Sequence, residues 1–336
     1  MVETLFREQS SANDLLADAI VWDNHACMPM DMHDNLAFLP KLEEVCEAGV
    51  TVLSINIGYG EVSLSDHFAL AEQMRAWITA HPDRFMMIDK ARDVAEAKRS
   101  GRLGIVFDIE GAAPLAGDLS LVEQFYRRGV RWMLLAYNRR NWAASGVHDD
   151  DVGLSQDGYD LIREMERVGM VVCLSHTAPR SAFDALRYAK KPMIFSHSNL
   201  ARLAPHPRNI SDDLARACAD TGGVIGVNGL EIFLNGGVTA ERLADHVEAL
   251  AQVVGIDHVG IGLDHVFDIP GLEREKQSMI GAFPPDCGYE TPTRCFPPTR
   301  IDEIVEVLLQ RGWHGDDLHK LLGGNWLRVA QKCWAT

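Results

Sequence analysis

Short apolar runs, each followed by a longer amphipathic stretch, recur along this chain about every 35 residues on average, and that rhythm restricts the fold more than any other feature. The runs are Ala19–Trp22, Thr51–Ile57, Leu103–Asp108, Val130–Ala136, Met170–Leu174, Met193–Phe195, Val224–Val227 and His258–Gly262. Most are rich in β-branched and aromatic residues and read as strands. Phe85–Ile88 reads as a further edge or outer strand. The stretches between them predict helices over 65–80, 119–128, 156–168, 181–188, 211–221 and 240–254. Gly49, Gly129 and Gly169 stand directly before strands, where a helix ending in a left-handed residue needs them. Strands alternating with helices predict a parallel sheet. An open doubly wound sheet would fit the alternation, but the eightfold count favours a (β/α)8 TIM barrel.

With 336 residues and no low-complexity linker, residues 1–336 are expected to form one barrel domain. The one long irregular region, about 267–298, is rich in Pro and Gly and reads as a lid or interface loop. C-terminal helices over 300–332 (Arg300–Gln310 and Asp316–Lys332) are expected on the barrel exterior. A net charge of −16 argues against nucleic acid or an anionic membrane surface as partner. Seven scattered cysteines without CxxC spacing read as reduced thiols, and a Cys287–Cys295 disulfide has no support. The N-terminal segment is polar, the C-terminus carries no anchor pattern and no run is long enough to span a bilayer, so a cytoplasmic protein is expected.

The chemistry gathers at the strand ends. These are Asp23-Asn-His25-Ala-Cys27, Asp108-Ile-Glu110, Tyr137-Asn138, Ser175-His176, Ser196-His197, Asn228-Gly229 and Asp264-His265. In a barrel they all surround one mouth. Taken alone, His176 reads as a polar strand end, Glu110 as a helix-start carboxylate and Asp264 as a turn cap. Together, His25, Glu110, His176, His197 and Asp264 read as a ligand set for zinc, with a carboxylate able to bridge two ions. Such ions generate hydroxide at neutral pH and polarise an amide carbonyl. His148 and His265 are candidate pocket neighbours.

With these residues in view, the chain resembles the membrane (renal) dipeptidase family, metallopeptidase family M19, among the amidohydrolase-like barrels. The likeness covers roughly residues 18–330. It rests on IEG (109–111), RWMLLAYNRRNWA (131–143), GLSQDG (153–158), VCLSH (172–176), PMIFSHSNLARLAPHPRN (192–209), DHVEALAQVVGIDHVGIGLD (245–264) and LLGGNWLRV (321–329). The resemblance implies a dinuclear zinc hydrolase that cleaves a dipeptide or small N-acyl amino acid. It implies Glu110 as bridging ligand, His176 and His197 on one ion, and His25 and Asp264 on the other. Asp264 would also pass the proton to the leaving amine. Arg208 would pair with the substrate carboxylate, and Tyr137, Asn138 and Asn228 would line the substrate site. Barrels of this kind often pair, so a homodimer is a candidate assembly that the sequence does not decide.

Two positions depart from the family pattern. The first motif, usually His-x-Asp, here reads His25-Ala-Cys27, and Tyr137 stands where a His usually precedes Asn. Tyr137 could donate its hydroxyl to a developing oxyanion or simply pack at the mouth. Cys27 has three readings: a thiolate ligand, a non-ligand that leaves a one-ion site at Glu110, His176 and His197, or an inert thiol beside an intact site. The same metal set would also serve a specialised amidase, lactonase or imidase, or persist in a barrel that has lost catalysis.

Overall fold

The apolar runs close into a ring of parallel staves in the computed structural model, which describes residues 11–60 and 62–335. The first ten residues of the N-terminal segment thus lie outside the described residues. The strands are β1 (Trp22–Cys27), β2 (Val52–Tyr59), β3 (Phe85–Met87), β4 (Leu103–Glu110), β5 (Val130–Leu134), β6 (Val171–Cys173), β7 (Ile225–Val227), β8 (Val259–Ile261) and β9 (His265–Val266). Hydrogen-bonded neighbours run β6-β5-β4-β2-β1-β8-β7. Two parallel bridges, Cys173 to Ile194 and Phe195 to Ile225, close the gap between β6 and β7. The expected strand at Met193–Phe195 therefore survives only as single-residue bridges, but it supplies the eighth stave. The fold is a (β/α)8 barrel.

β3 lies outside this ring as the extra strand the sequence suggested, pairing with the lower half of β4 while β5 takes the upper half. The first stave is corrected: it begins at Trp22, where the apolar run ends, and continues through Cys27. Its register against β2 slips between Asp23 and Ala26, so a bulge falls at Asn24 and His25. Bulges bend a strand and re-aim a side chain, here the histidine. The polar segment DNHAC forms a strand because its inner face meets the mouth rather than the helix layer.

Alternate residues of a strand share a face, so Val106, Asp108 and Glu110 of β4 line one side. Val106 belongs to an apolar cluster with Trp22, Val52, Trp132, Cys173, Ile194 and Trp326, below the polar positions. A larger cluster joins the other faces of the strands to the surrounding helices. The C-terminal helix is interrupted, with Gly315–His319 and Asn325–Cys333 flanking a wider π-type turn at Lys320–Gly324. The turn seats Asn325, whose amide donates to the carbonyls of Ile256 and Val259, and Trp326, whose indole donates to Ile261. Gly260 makes room: a Cβ there would stand 2.6 Å from the Trp326 ring. This segment therefore underpins the barrel as well as covering its exterior.

The region 267–298 is less irregular than its composition suggested. It contains the helix Ile269–Ser278, capped by Asp268, and a turn at Pro285–Cys287. The helix buries none of its residues, so it carries no apolar stripe by which to recognise it. All seven cysteines are free thiols, Cys287 and Cys295 included. Among the described residues, no helix is long and apolar enough to cross a membrane.

Candidate metal centre

The barrel brings the strand-end residues together as the sequence implied. Glu110, at the end of β4, is 3% exposed, and its Oε1 faces three imidazole nitrogens: His176 Nε2 at 3.1 Å, His197 Nε2 at 3.3 Å and His25 Nε2 at 3.4 Å. His176 Nε2 and His197 Nε2 are themselves 3.0 Å apart. On the other side, His25 Nε2 lies 3.5 Å from Asp264 Oδ1 and 3.5 Å from Cys27 Sγ. Three triads each have their ligand atoms within 4.8 Å of one another: Glu110–His176–His197, His25–His197–Asp264 and His25–Cys27–Glu110.

Each imidazole is aimed from behind. His25 Nδ1 faces the buried Asp108 carboxylate at 3.3–3.4 Å, and that carboxylate accepts the Ser54 hydroxyl at 2.7 Å. His176 Nδ1 meets Asn138 Oδ1 at 2.7 Å, and His197 Nδ1 meets Ser196 Oγ at 2.8 Å. With Nδ1 so engaged, the three Nε2 atoms converge on Glu110, the arrangement by which outer partners orient metal-binding histidines. Ser196 is itself wedged in place: a Cβ on Gly262 would stand 1.8 Å from its carbonyl oxygen. His176, Asn138 and Asp264 all hold left-handed backbones (φ 63°, 54° and 57°), a conformation that costs a non-glycine residue free energy.

Burial and mutual proximity shift the protonation of several groups in the centre. Burial pushes the carboxyls of Glu110, Asp108 and Asp23 up, Asp23 to about 7. Burial also opposes a charge on His25, but the Asp108 and Glu110 carboxylates outweigh it and hold His25 well above its usual range. His176 and His197 are held well below theirs by burial and by the positive Arg208 and His25, so both are neutral and available as ligands. Burial raises the Cys27 thiol, and Glu110 Oε1 lacks a hydrogen-bond donor. Zinc bound tetrahedrally at ordinary bond lengths sets its N and O ligands about 3.3 Å apart and its N and S ligands about 3.5 Å apart. The observed spacings match, so these residues fit such an ion.

Over the centre lies a cavity of ≈ 530 Å³ lined by Cys27, Tyr59, Glu110, Tyr137, His176 and Asp264, with Phe233, Phe283 and Tyr289 among its aromatic walls. The last two belong to the 267–298 region, which therefore roofs the mouth. Tyr137 stacks on His176, ring centroids 4.5 Å apart, and burial keeps its hydroxyl protonated well above the usual range. Arg208 is 2% exposed; its Nη2 reaches the His197 carbonyl at 3.4 Å and its Nε has no partner. Asn138 and Asn228, expected to touch substrate, have their amides engaged within the protein. Asn138 also donates to the Ala282 carbonyl at 2.9 Å, while Asn228 donates to Asp264 Oδ2 at 2.9 Å and accepts from the Leu230 amide. His148 meets the Tyr289 hydroxyl at 3.0 Å, and His265 lies 3.3 Å from the Cys295 thiol, so both are neighbours of the mouth rather than parts of the centre.

The sequence alone assigns no role to Asp108 or Ser196. A signal existed for Asp108, which stands two residues before Glu110 and so shares its face. Ser196 beside His197 carries no such signal, because its role depends on packing between distant glycines.

A barrel with this mouth places the chain among the amidohydrolase-type enzymes, and a solved amidohydrolase from Pseudomonas aeruginosa superposes with a TM-score of 0.87 at 26% identity, covering 97% of this chain and 99% of that one. Within that class the chain belongs to the membrane dipeptidase family (peptidase family M19), whose model matches residues 9–277. Dipeptidase tcpJ of Claviceps purpurea is 31% identical over 276 residues, covering 80% of this chain and 60% of that protein. An uncharacterised dipeptidase of Schizosaccharomyces pombe is 35% identical over 270 residues, covering 77% and 60%. The chain thus spans about 60% of the length of these relatives.

Proposed function

We propose that the protein is a zinc-dependent dipeptidase that hydrolyses the amide bond of a dipeptide or a small N-acyl amino acid. The observation that carries this reading is the convergence of three histidine Nε2 atoms on the buried, donor-less Glu110 Oε1 beneath a cavity. Glu110, His176 and His197 would hold one ion, and Glu110, His25 and Asp264 a second. When bound, such ions lower the pKa of water and polarise a carbonyl. The remaining work falls to the chain. Asp264, oriented by the Asn228 amide at Oδ2, would take a proton from the attacking water and deliver it to the leaving nitrogen. Tyr137, protonated at every physiological pH, donates a hydrogen bond to the carbonyl oxygen as negative charge develops there. The planar fork of Arg208 suits a carboxylate at the substrate's C-terminal end, which favours dipeptides over neutral amides or lactones. Phe283 and Tyr289 in the roof exclude bulk water. The free thiols support a reducing, cytoplasmic setting.

The test is a panel of dipeptides, including ones with a D-residue at the C-terminus, offered to the zinc-loaded protein and to its Glu110→Gln and His197→Ala variants. Hydrolysis by the native protein and its loss in both variants is expected. Undiminished turnover in either variant, or no cleavage of any member, would overturn the reading.

A further inference from the structure

The mouth contains one more potential ligand than the histidine and carboxylate set requires, and it is a sulfur. Cys27 stands two residues after His25, which lies within the β1 bulge, and the two side chains meet at the mouth. Cys27 Sγ lies 3.5 Å from His25 Nε2, the separation that tetrahedral zinc sets between a sulfur and an imidazole nitrogen, about 3.5 Å. It stands 3.9 Å from Asp264 Oδ1, and with His25 and Glu110 it forms a triad whose ligand atoms all lie within 4.8 Å. Cys27 also lines the cavity, so the atom faces the space that an ion and substrate would share.

Other partners for the thiol are few. The thiol meets His25 Nε2 and Asp264 Oδ1, both of them atoms of the centre itself. Cys173, Cys218 and Cys333, by contrast, pair with a serine hydroxyl or backbone carbonyls away from the ligand atoms. Cys295 pairs with His265, outside the triads. One sulfur of seven is thus held where a metal would need it.

We infer that Cys27 is a ligand of the ion shared by His25 and Asp264, and that it makes this position selective for thiophilic ions such as zinc, cobalt or cadmium over magnesium or manganese. The inference deepens the metal-enzyme reading above and rests on it. A carboxylate at the same place would serve hard and borderline ions alike, whereas sulfur discriminates among them. Metal entry displaces the thiol proton to solvent, as ligation by cysteine requires. The two positions of the centre then differ in kind: the His176–His197 position has only nitrogen and oxygen donors, and the His25 position adds sulfur.

Cobalt(II) substitution reads this without reference to turnover, because sulfur bound to cobalt gives an intense near-ultraviolet charge-transfer absorption that nitrogen and oxygen ligands do not. The native protein loaded with cobalt should show that band. Cys27→Ser should lose it, and Cys27→Asp should lose it while still binding cobalt and retaining manganese better than native through dialysis. Native protein that binds cobalt without the band overturns the inference and leaves the dipeptidase reading intact. A band that persists in Cys27→Ser would belong to another thiol and overturns it as well. Failure of the native protein to bind cobalt at all sinks both readings together.

Discussion

Replacing Asp108 by Asn removes one negative charge behind His25 while keeping the shape of the side chain. Asp108 is fully buried, lies 3.3–3.4 Å from His25 Nδ1 and accepts the Ser54 hydroxyl. It fixes the tautomer of His25 and raises the basicity of Nε2, and loss of such an outer partner typically weakens metal binding by roughly 10–100-fold. That corresponds to about 1.4–2.7 kcal/mol, and the loss should fall on the position served by His25 alone. His176 and His197 have their own outer partners, Asn138 and Ser196, so their ion should keep its affinity. Titration with chelator-buffered zinc should show one weakened and one unchanged site. Equal weakening of both sites, or none, would show that Asp108 does not act through His25.

Three further outcomes follow from the same geometry. Arg208→Met, similar in length but without charge, should raise KM for dipeptides about 10–100-fold, the value of a charge-assisted hydrogen bond, with a smaller change in kcat; steady-state kinetics on free and C-terminally amidated dipeptides will check this, since the amides should be indifferent. Tyr137→Phe should lower kcat roughly 10²–10³-fold with little change in KM, as removal of one oxyanion donor does, and an unaltered kcat would mean the ring only packs on His176. His148 and His206 are both lowered to about 4, by burial and by the nearby positive Arg208. Each folds neutral while the unfolded chain takes up a proton near pH 6.5, so their contribution to stability is complete above about pH 6.5 and is lost as the pH falls towards 4. Thermal melts of the metal-free protein against pH should therefore slope less over that window in the His148→Gln, His206→Gln double variant.

The barrel was legible because its strands are buried on both faces and read as continuous apolar runs. The first stave lies beyond the apolar run for a related reason: half of β1 consists of polar residues, His25 among them at the mouth, so the apolar run marks the approach to the strand rather than the strand itself. The helix Ile269–Ser278 buries nothing and so leaves no periodic trace. Glu110, His176, His197, His25 and Asp264 could be collected from sequence because a barrel puts every strand end in one place. The supporting contacts could not: Asn138 to His176, Asn228 to Asp264 and Ser196 to His197 depend on rotamers and left-handed backbones set by tertiary packing. Arg208 was found through its motif, yet its burial and unpartnered Nε are properties of the folded mouth alone.

The proposed function would have Glu110 shared between two divalent ions at the barrel mouth. Anomalous diffraction from crystals of the zinc-loaded protein, collected on either side of the zinc edge, would locate them. Two peaks are predicted, one beside His176 and His197 and the other beside His25 and Asp264, with Glu110 between them. A single peak, or zinc bound away from Glu110, would contradict it.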